Sequence, residues 1–184
     1  MRFDSFSKLI SSGLRVGFAT GPPELVQRME LHQQATSLHP SGLSQAVCAA
    51  LLSRWGESGF EEHVEKVTSL YRKQRDAALL SCSRHLDGLA SWTSPSAGMF
   101  LWISLVGCKD TASLVRDKLG PAKVLMVPGE SFTSTESARE RSSDALRPNS
   151  SFVRASYSTA SPADMDIAFN RLGTILRSIE DTKN

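Results

Sequence analysis

Cysteine is scarce in this chain. Cys48, Cys82 and Cys108 are the three present, an odd number at wide spacing with no C-x-x-C. A disulfide framework and a cysteine zinc site are therefore not expected. The thiols read as reduced, mostly buried groups of an intracellular protein. The four histidines, His32, His39, His63 and His85, lack metal-ligand pairing and read as surface or packing residues, so no metal is expected. Charge of one sign is not in excess either: 21 Lys and Arg face 19 Asp and Glu, a formal net charge of +2. A dedicated nucleic-acid binder carries a concentrated basic stripe, so that class is excluded. No apolar run reaches the roughly 18 residues that cross a bilayer, so no membrane span is expected. The first residues have neither a signal-peptide core nor an amphipathic transit segment. The compartment, cytoplasmic or mitochondrial, stays open on the sequence.

What is present is ordinary for a folded chain. Its 184 residues are 40% hydrophobic and 22% charged, which suits one domain, or one modest domain plus pieces. No internal repeat is visible. Leu14, Val16 and Phe18 alternate with Arg15, Gly17 and Ala19, which is strand periodicity. That opening strand has no partner strand nearby in sequence. Gly21-Pro22-Pro23 ends it and starts a short helix to about residue 35. Ser41 is a plausible N-cap for a second helix whose apolar face is Leu43, Ala46, Val47, Ala50, Leu51 and Trp55. Gly56 and Gly59 then allow a sharp turn. Residues 60–86 form a long helix with a stripe of Phe60, Val64, Val67, Tyr71, Ala78 and Cys82. At ~1.5 Å per residue it would span roughly 40 Å and connect two packing layers or two domains.

After Gly88 the pattern changes to strand candidates at 90–93, 99–105, 124–127 and 152–157. A short helix lies at about 111–119. A last helix is capped by Ser161-Pro162 and carries the apolar face Met165, Ala168, Leu172, Ile175 and Ile179. This is a small α/β unit with helices on one side of a few strands. Residues 133–151 are rich in Ser and Thr and poor in apolar residues. They read as a flexible surface loop.

Ser5-Phe6-Ser7-Lys8 is the sharpest local feature. As S-x-x-K it would suggest a serine nucleophile, but the K-T-G and S-D-N-type partners of that chemistry do not occur. As a Schiff-base lysine it makes better sense. Ser5 and Ser7 can donate hydroxyl hydrogen bonds to a phosphate, and Arg15 can bind its oxygens with a planar fork.

The run Ser-Phe-Ser-Lys-x-x-Ser-Ser-Gly-Leu-Arg-Val-Gly-Phe resembles the cofactor-attachment segment of class I/II aminotransferases, the fold type I pyridoxal-phosphate enzymes. The likeness continues through Thr20-Gly21-Pro22, Ser37-Leu38-His39-Pro40-Ser41 and Ala97-Gly98-Met99-Phe100-Leu101-Trp102. It extends through Val127-Pro128-Gly129 with Phe132, and Val153-Arg154-Ala155-Ser156-Tyr157. Within the family it most resembles the kynurenine/α-aminoadipate type, and it covers about the last two fifths of such an enzyme.

The resemblance implies a fold and an activity. The fold is α/β, the C-terminal part of the pyridoxal-phosphate-transferase large domain (1–55), a connecting helix (56–87) and the small C-terminal α/β domain (88–184). The activity is transamination between an amino acid and a 2-oxo acid, with pyridoxal 5'-phosphate as cofactor and a homodimer as the complete enzyme. Lys8 would carry the cofactor as a Schiff base and move the proton at the substrate carbon. Ser5, Ser7 and Arg15 would hold the phosphate, and Arg154 would bind the substrate carboxylate. Gly98 would permit close approach near the substrate. The acidic partner of the cofactor ring, the Asn and Tyr near its oxygen, and the stacking aromatic all precede the lysine in the family. The expectation is therefore that this chain alone is not a competent transaminase. Two other readings are an aminotransferase-like sensor domain of a transcription regulator and a non-catalytic truncated product that pairs with full-length subunits.

Overall fold

The computed structural model describes residues 1–132 and 150–181. The chain divides into two compact units, 1–68 and 69–184.

The first unit opens with strand β1 (Arg2–Ser5), which pairs antiparallel with β2 (Gly17–Thr20). The strand at the start of the chain therefore has a partner close in sequence, contrary to expectation. It also begins at Gly17 rather than near Leu14. Leu14 closes a 3-10 turn, and Arg15 takes a left-handed backbone (φ 52°, ψ 40°) that ends any extension before Val16. The register sets Ser5 opposite Gly17. A Cβ on Gly17 would lie 2.6 Å from the Asp4 carbonyl oxygen, so the two strands meet this closely only with glycine there.

Helix α1 (Pro23–Thr36) follows, with Pro23 at its first position. Helix α2 (Gly42–His85) then runs through both expected helices. The Ser41 hydroxyl accepts the Ser44 amide at 3.4 Å as its cap. Only Gly56 leaves helical geometry (φ 61°, ψ −167°), while Gly59 stays in the helix. The expected turn at both glycines is a single kink. Most of the expected apolar face is not inward: Leu43 is 78% exposed, and Ala46, Val47 and Ala50 are exposed with it, while Leu51 and Trp55 are half-buried. Among the described residues of this unit only Cys48 is buried.

The second unit has its own core. Strands β3 (Ala90–Trp92), β4 (Phe100–Leu105), β5 (Val127–Pro128) and β6 (Phe152–Ser156) form an antiparallel sheet in the order β3-β4-β6-β5. Strand periodicity sorts its two faces. Leu101, Ile103, Leu105, Val153 and Ala155 point into the core. Phe100, Trp102 and Arg154 occupy the alternate positions. The core is completed by Ala78, Cys82 and Leu86 of α2 and its exit, Leu114 of α3 (Thr111–Leu114), and Leu119 of the π-helical turn that continues it. Met165, Phe169, Leu172 and Leu176 of α4 (Pro162–Asp181) close it. The Ser161 hydroxyl accepts the Asp164 amide at 3.1 Å, which is the expected cap of α4. The strand expected from Val124 shortens to β5, although Val124 and Met126 are both buried.

Of the expected 133–151 loop, residues 133–149 lie outside the described residues. Ser150 and Ser151 are described, and their carbonyls accept the Thr111 and Leu105 amides at 3.0 and 2.8 Å.

A buried-edge cluster joins α2 to α4. Asp166 accepts from the Ser81 hydroxyl at 3.0 Å, Arg84 Nη1 at 2.8 Å and His85 Nε2 at 3.0 Å. Burial alone would push the Asp166 carboxyl up. The bonds from His85 and Ser81 and the Arg84 charge outweigh it and hold the carboxyl below its usual range.

Candidate functional site

The β1–β2 pair builds the phosphate-cradle candidate from local hydrogen bonds. At the end of β1 the Ser5 hydroxyl accepts the Ser7 amide at 3.1 Å. That bond caps a 3-10 turn, Phe6–Lys8, and leaves Lys8 as its last residue. The Phe6 amide reaches across to the Val16 carbonyl at 3.1 Å, and the Phe6 and Phe18 rings pack with centroids 5.5 Å apart. The turn is thus fastened to the start of β2. The left-handed backbone of Arg15 carries its side chain back over the turn. Its Nη1 donates to Ser7 Oγ at 3.1 Å and to the Ser12 carbonyl at 3.2 Å. A non-glycine residue in that conformation is strained, so the surroundings must over-determine it.

Ser5, Ser7 and Lys8 thus share one turn, and the Arg15 guanidinium reaches Ser7 from the end of a second turn. Among the described residues Arg15 forms no ion pair, so its charge is not neutralised there. A turn carrying two hydroxyls and a primary amine, with a guanidinium hydrogen-bonded to it from the next turn, offers a donor set suited to a phosphate monoester that bears an aldehyde.

Arg154 belongs to the second unit. On β6 it stands opposite Trp102 of β4 and Val127 of β5. It lies on the sheet face away from the core, because its neighbours Val153 and Ala155 are the buried ones. Its guanidinium carbon lies 4.2 Å from the Phe100 ring centroid and 4.5 Å from that of Phe132. Trp102 joins this group, edge-on to Phe132 and stacked on Phe152, with centroids 5.4 Å apart in each case. No carboxylate pairs with Arg154 among the described residues. A guanidinium held by ring faces keeps its N–H edge available for a planar anion.

Gly98 adopts φ 91°, a conformation glycine takes readily, and its carbonyl accepts the Tyr157 hydroxyl at 3.0 Å. Burial pushes the Tyr157 phenol above its ordinary pKa. Among the described residues no three His, Cys, Asp or Glu side chains gather as a metal site would require.

Two features of this chemistry were not singled out from the sequence. The aromatic surround of Arg154 was one, although the alternation Phe100-Leu101-Trp102 already set both rings on the face opposite Leu101. The other is His63, read as a surface or packing residue. Its Nε2 lies 2.6 Å from the Leu9 carbonyl, one residue beyond Lys8.

Comparison with known proteins identifies the chain's relatives. The family model for aminotransferase class I and II matches residues 3–172. The mitochondrial kynurenine/alpha-aminoadipate aminotransferase of Rattus norvegicus is 46% identical over 179 residues, 97% of this chain and 40% of that protein. Its Bos taurus counterpart is 44% identical over 177 residues, 96% of this chain and 39% of that protein. The crystal structure of an alpha-aminoadipate aminotransferase from Thermus thermophilus, complexed with N-(5'-phosphopyridoxyl)-L-leucine, superimposes with a TM-score of 0.82. The identity there is 30%, covering 98% of this chain and 42% of that one. The chain thus spans about two fifths of the length of the relatives it matches. Over nearly all of its own length, in sequence and in fold, it belongs to the aminotransferase class I and II family.

Proposed function

We propose that this chain supplies the lysine, phosphate and carboxylate contacts of a pyridoxal-phosphate-dependent aminotransferase. Its donor would be an amino acid of the aminoadipate or kynurenine type, and its acceptor a 2-oxo acid. The observation that carries the proposal is the Arg15–Ser7 hydrogen bond, which brings a guanidinium to the turn that holds Ser5, Ser7 and Lys8. Class I and II aminotransferases use pyridoxal phosphate, and the likeness to the mammalian kynurenine/alpha-aminoadipate aminotransferases supports the substrate class. When bound, that cofactor supplies an aldehyde for the amino group and a ring that withdraws electrons from the substrate carbon.

The protein's own residues divide the remaining work. Ser5 and Ser7 donate hydroxyl protons to phosphate oxygens, and the Arg15 fork neutralises their charge. The Lys8 amine anchors the cofactor, and once displaced it takes and returns the proton at the substrate carbon. Arg154, held between Phe100 and Phe132, grips the substrate carboxylate through two parallel N–H bonds. The domain division at 55/56 and 87/88 and the homodimeric assembly belong to the same reading. An intracellular location does too, supported by the mitochondrial relatives and by three cysteines outside any disulfide. No helix among the described residues is long and apolar enough to cross a membrane.

The test is covalent labelling. The purified chain is incubated with pyridoxal phosphate, reduced with borohydride, and mapped by mass spectrometry beside a Lys8→Ala control. Saturable modification confined to Lys8 is expected. Weak modification spread over many lysines, unchanged in the control, would overturn the assignment.

A further inference from the structure

Three residues of α2, none given a role in the proposed function, form a row. Trp55, Gly59 and His63 are spaced four apart, and the Trp55 and His63 rings stack with centroids 4.5 Å apart and planes 23° from parallel. Gly59 lies beneath the stack. A Cβ there would stand 3.1 Å from the Trp55 Cβ and 3.6 Å from its Cγ, tighter than side chains normally pack. The missing side chain gives the indole the room to lie along the helix and reach His63. Gly59 is therefore a packing glycine inside a helix, not a turn glycine.

The stacked imidazole points its Nε2 at the Leu9 carbonyl, 2.6 Å away and 54 residues distant in sequence. A carbonyl can only accept, so Nε2 carries the proton. The same turn is tied again by the Leu9 and Ile10 amides, which donate to the Phe6 carbonyl at 3.2 and 2.8 Å. Lys8 is thus bracketed. On one side Ser7 is held by Ser5 and Arg15. On the other, Leu9 is held by His63.

We propose that His63, braced by Trp55 over Gly59, is a positioning residue that pins the backbone just after Lys8 and aims its amine. This rests on the reading of Lys8 as the cofactor lysine. The direction in which a lysine at the end of a short turn sends its amine is set by the peptides on both sides of it. Orientation of a reacting group can account for large rate factors. The phosphate contacts lie on the Ser7 side, so losing the Leu9 anchor slows the amine's attack without weakening capture of the phosphate.

The experiment uses the full chain and follows the rate of borohydride-trapped labelling at Lys8 against pyridoxal phosphate concentration. It compares wild type, His63→Phe, which keeps a ring against Trp55 but loses the donor, and His63→Gln, which keeps an N–H donor. Nitrogen-15 NMR of the imidazole and urea midpoints accompany it. The expected result is a proton on His63 Nε2, and in His63→Phe a maximal rate lower by about tenfold with the half-saturating concentration within about twofold. His63→Gln should restore most of the rate. The proposal is overturned by a His63→Phe variant that labels at the wild-type rate, or by rate, half-saturation and urea midpoint all moving together. An Nε2 that carries no proton overturns it as well. Unselective labelling of the wild type would instead overturn the cofactor reading of Lys8, and with it this role. That failure appears before any variant is made.

Discussion

The left-handed backbone of Arg15 allows stability and phosphate binding to be separated by two substitutions. Arg15→Ala keeps a Cβ at φ 52° and removes the guanidinium. It retains the left-handed strain of about 1–2 kcal/mol. It also gives up two exposed hydrogen bonds worth about 0.5 kcal/mol each. Arg15→Gly loses the same bonds but relieves the strain, against about 0.4–1 kcal/mol of added unfolded-chain entropy. The glycine variant should therefore be more stable than the alanine variant by about 0.5–1 kcal/mol, and close to wild type. The local reporter is hydrogen exchange of the Phe6 amide, whose bond to the Val16 carbonyl closes the turn. It should exchange about two- to fivefold faster in Arg15→Ala than in Arg15→Gly. Both variants should raise the pyridoxal phosphate concentration that half-saturates Lys8 labelling by about tenfold or more, because a charge-assisted contact to phosphate is lost in each. Equal exchange in the two variants would refute the strain argument. A glycine variant that binds the cofactor as wild type does would refute the cradle.

Leu172 is fully buried and Ile167 of the same helix is 48% exposed. Leu172→Ala should lower stability by about 3 kcal/mol and Ile167→Ala by less than about 1, read as urea midpoints at constant slope. Gly173→Ala sets helix propensity against packing. Propensity alone predicts a gain of about 1 kcal/mol, but the new Cβ would overlap the His85 carbonyl oxygen, so a loss is expected. Asp166 is held below the usual carboxylate range, so its contribution is complete above about pH 4 and disappears as pH falls through the depressed native value. The gap in urea midpoint between wild type and Asp166→Asn should be full at neutral pH and close on acidification; a gap that persists at low pH contradicts the network. Cys82 is buried, with its thiol pushed up to about 12 by burial, so iodoacetamide at mildly alkaline pH should modify it only after denaturation.

Local order in this chain was legible wherever neighbouring residues dictate it. Helix α4 follows from the Ser161-Pro162 start and an apolar stripe, and the structure shifts the centre of that stripe only slightly, to Phe169 and Leu176. The two faces of β4 and β6 follow from alternation, which sets Arg154 on the face away from buried Val153 and Ala155, whereas its role as a carboxylate partner was implied by the family resemblance. The Ser5–Lys8 turn and Arg15 could be grouped because short spacing limits how far apart they can lie. Periodicity is less informative about what an apolar face meets. The stripe Leu43-Ala46-Val47-Ala50 has helical spacing, yet it is exposed in a unit where only Cys48 is buried. Apolar spacing records that a face seeks cover, not which partner provides it.

By itself, then, the sequence determined most of the helical segments, which faces of the second unit are apolar, and that Ser5, Ser7, Lys8 and Arg15 lie within a short span of chain. These depend on backbone propensity and on contacts a few residues apart. Only the tertiary structure decided that β1 pairs with β2, that Phe100 and Phe132 flank the Arg154 guanidinium, and that His63 donates to the carbonyl beside Lys8. Each of these joins groups far apart along the chain, or depends on one left-handed residue. Their energy is gained only after the chain has closed on itself, and no periodicity records it beforehand.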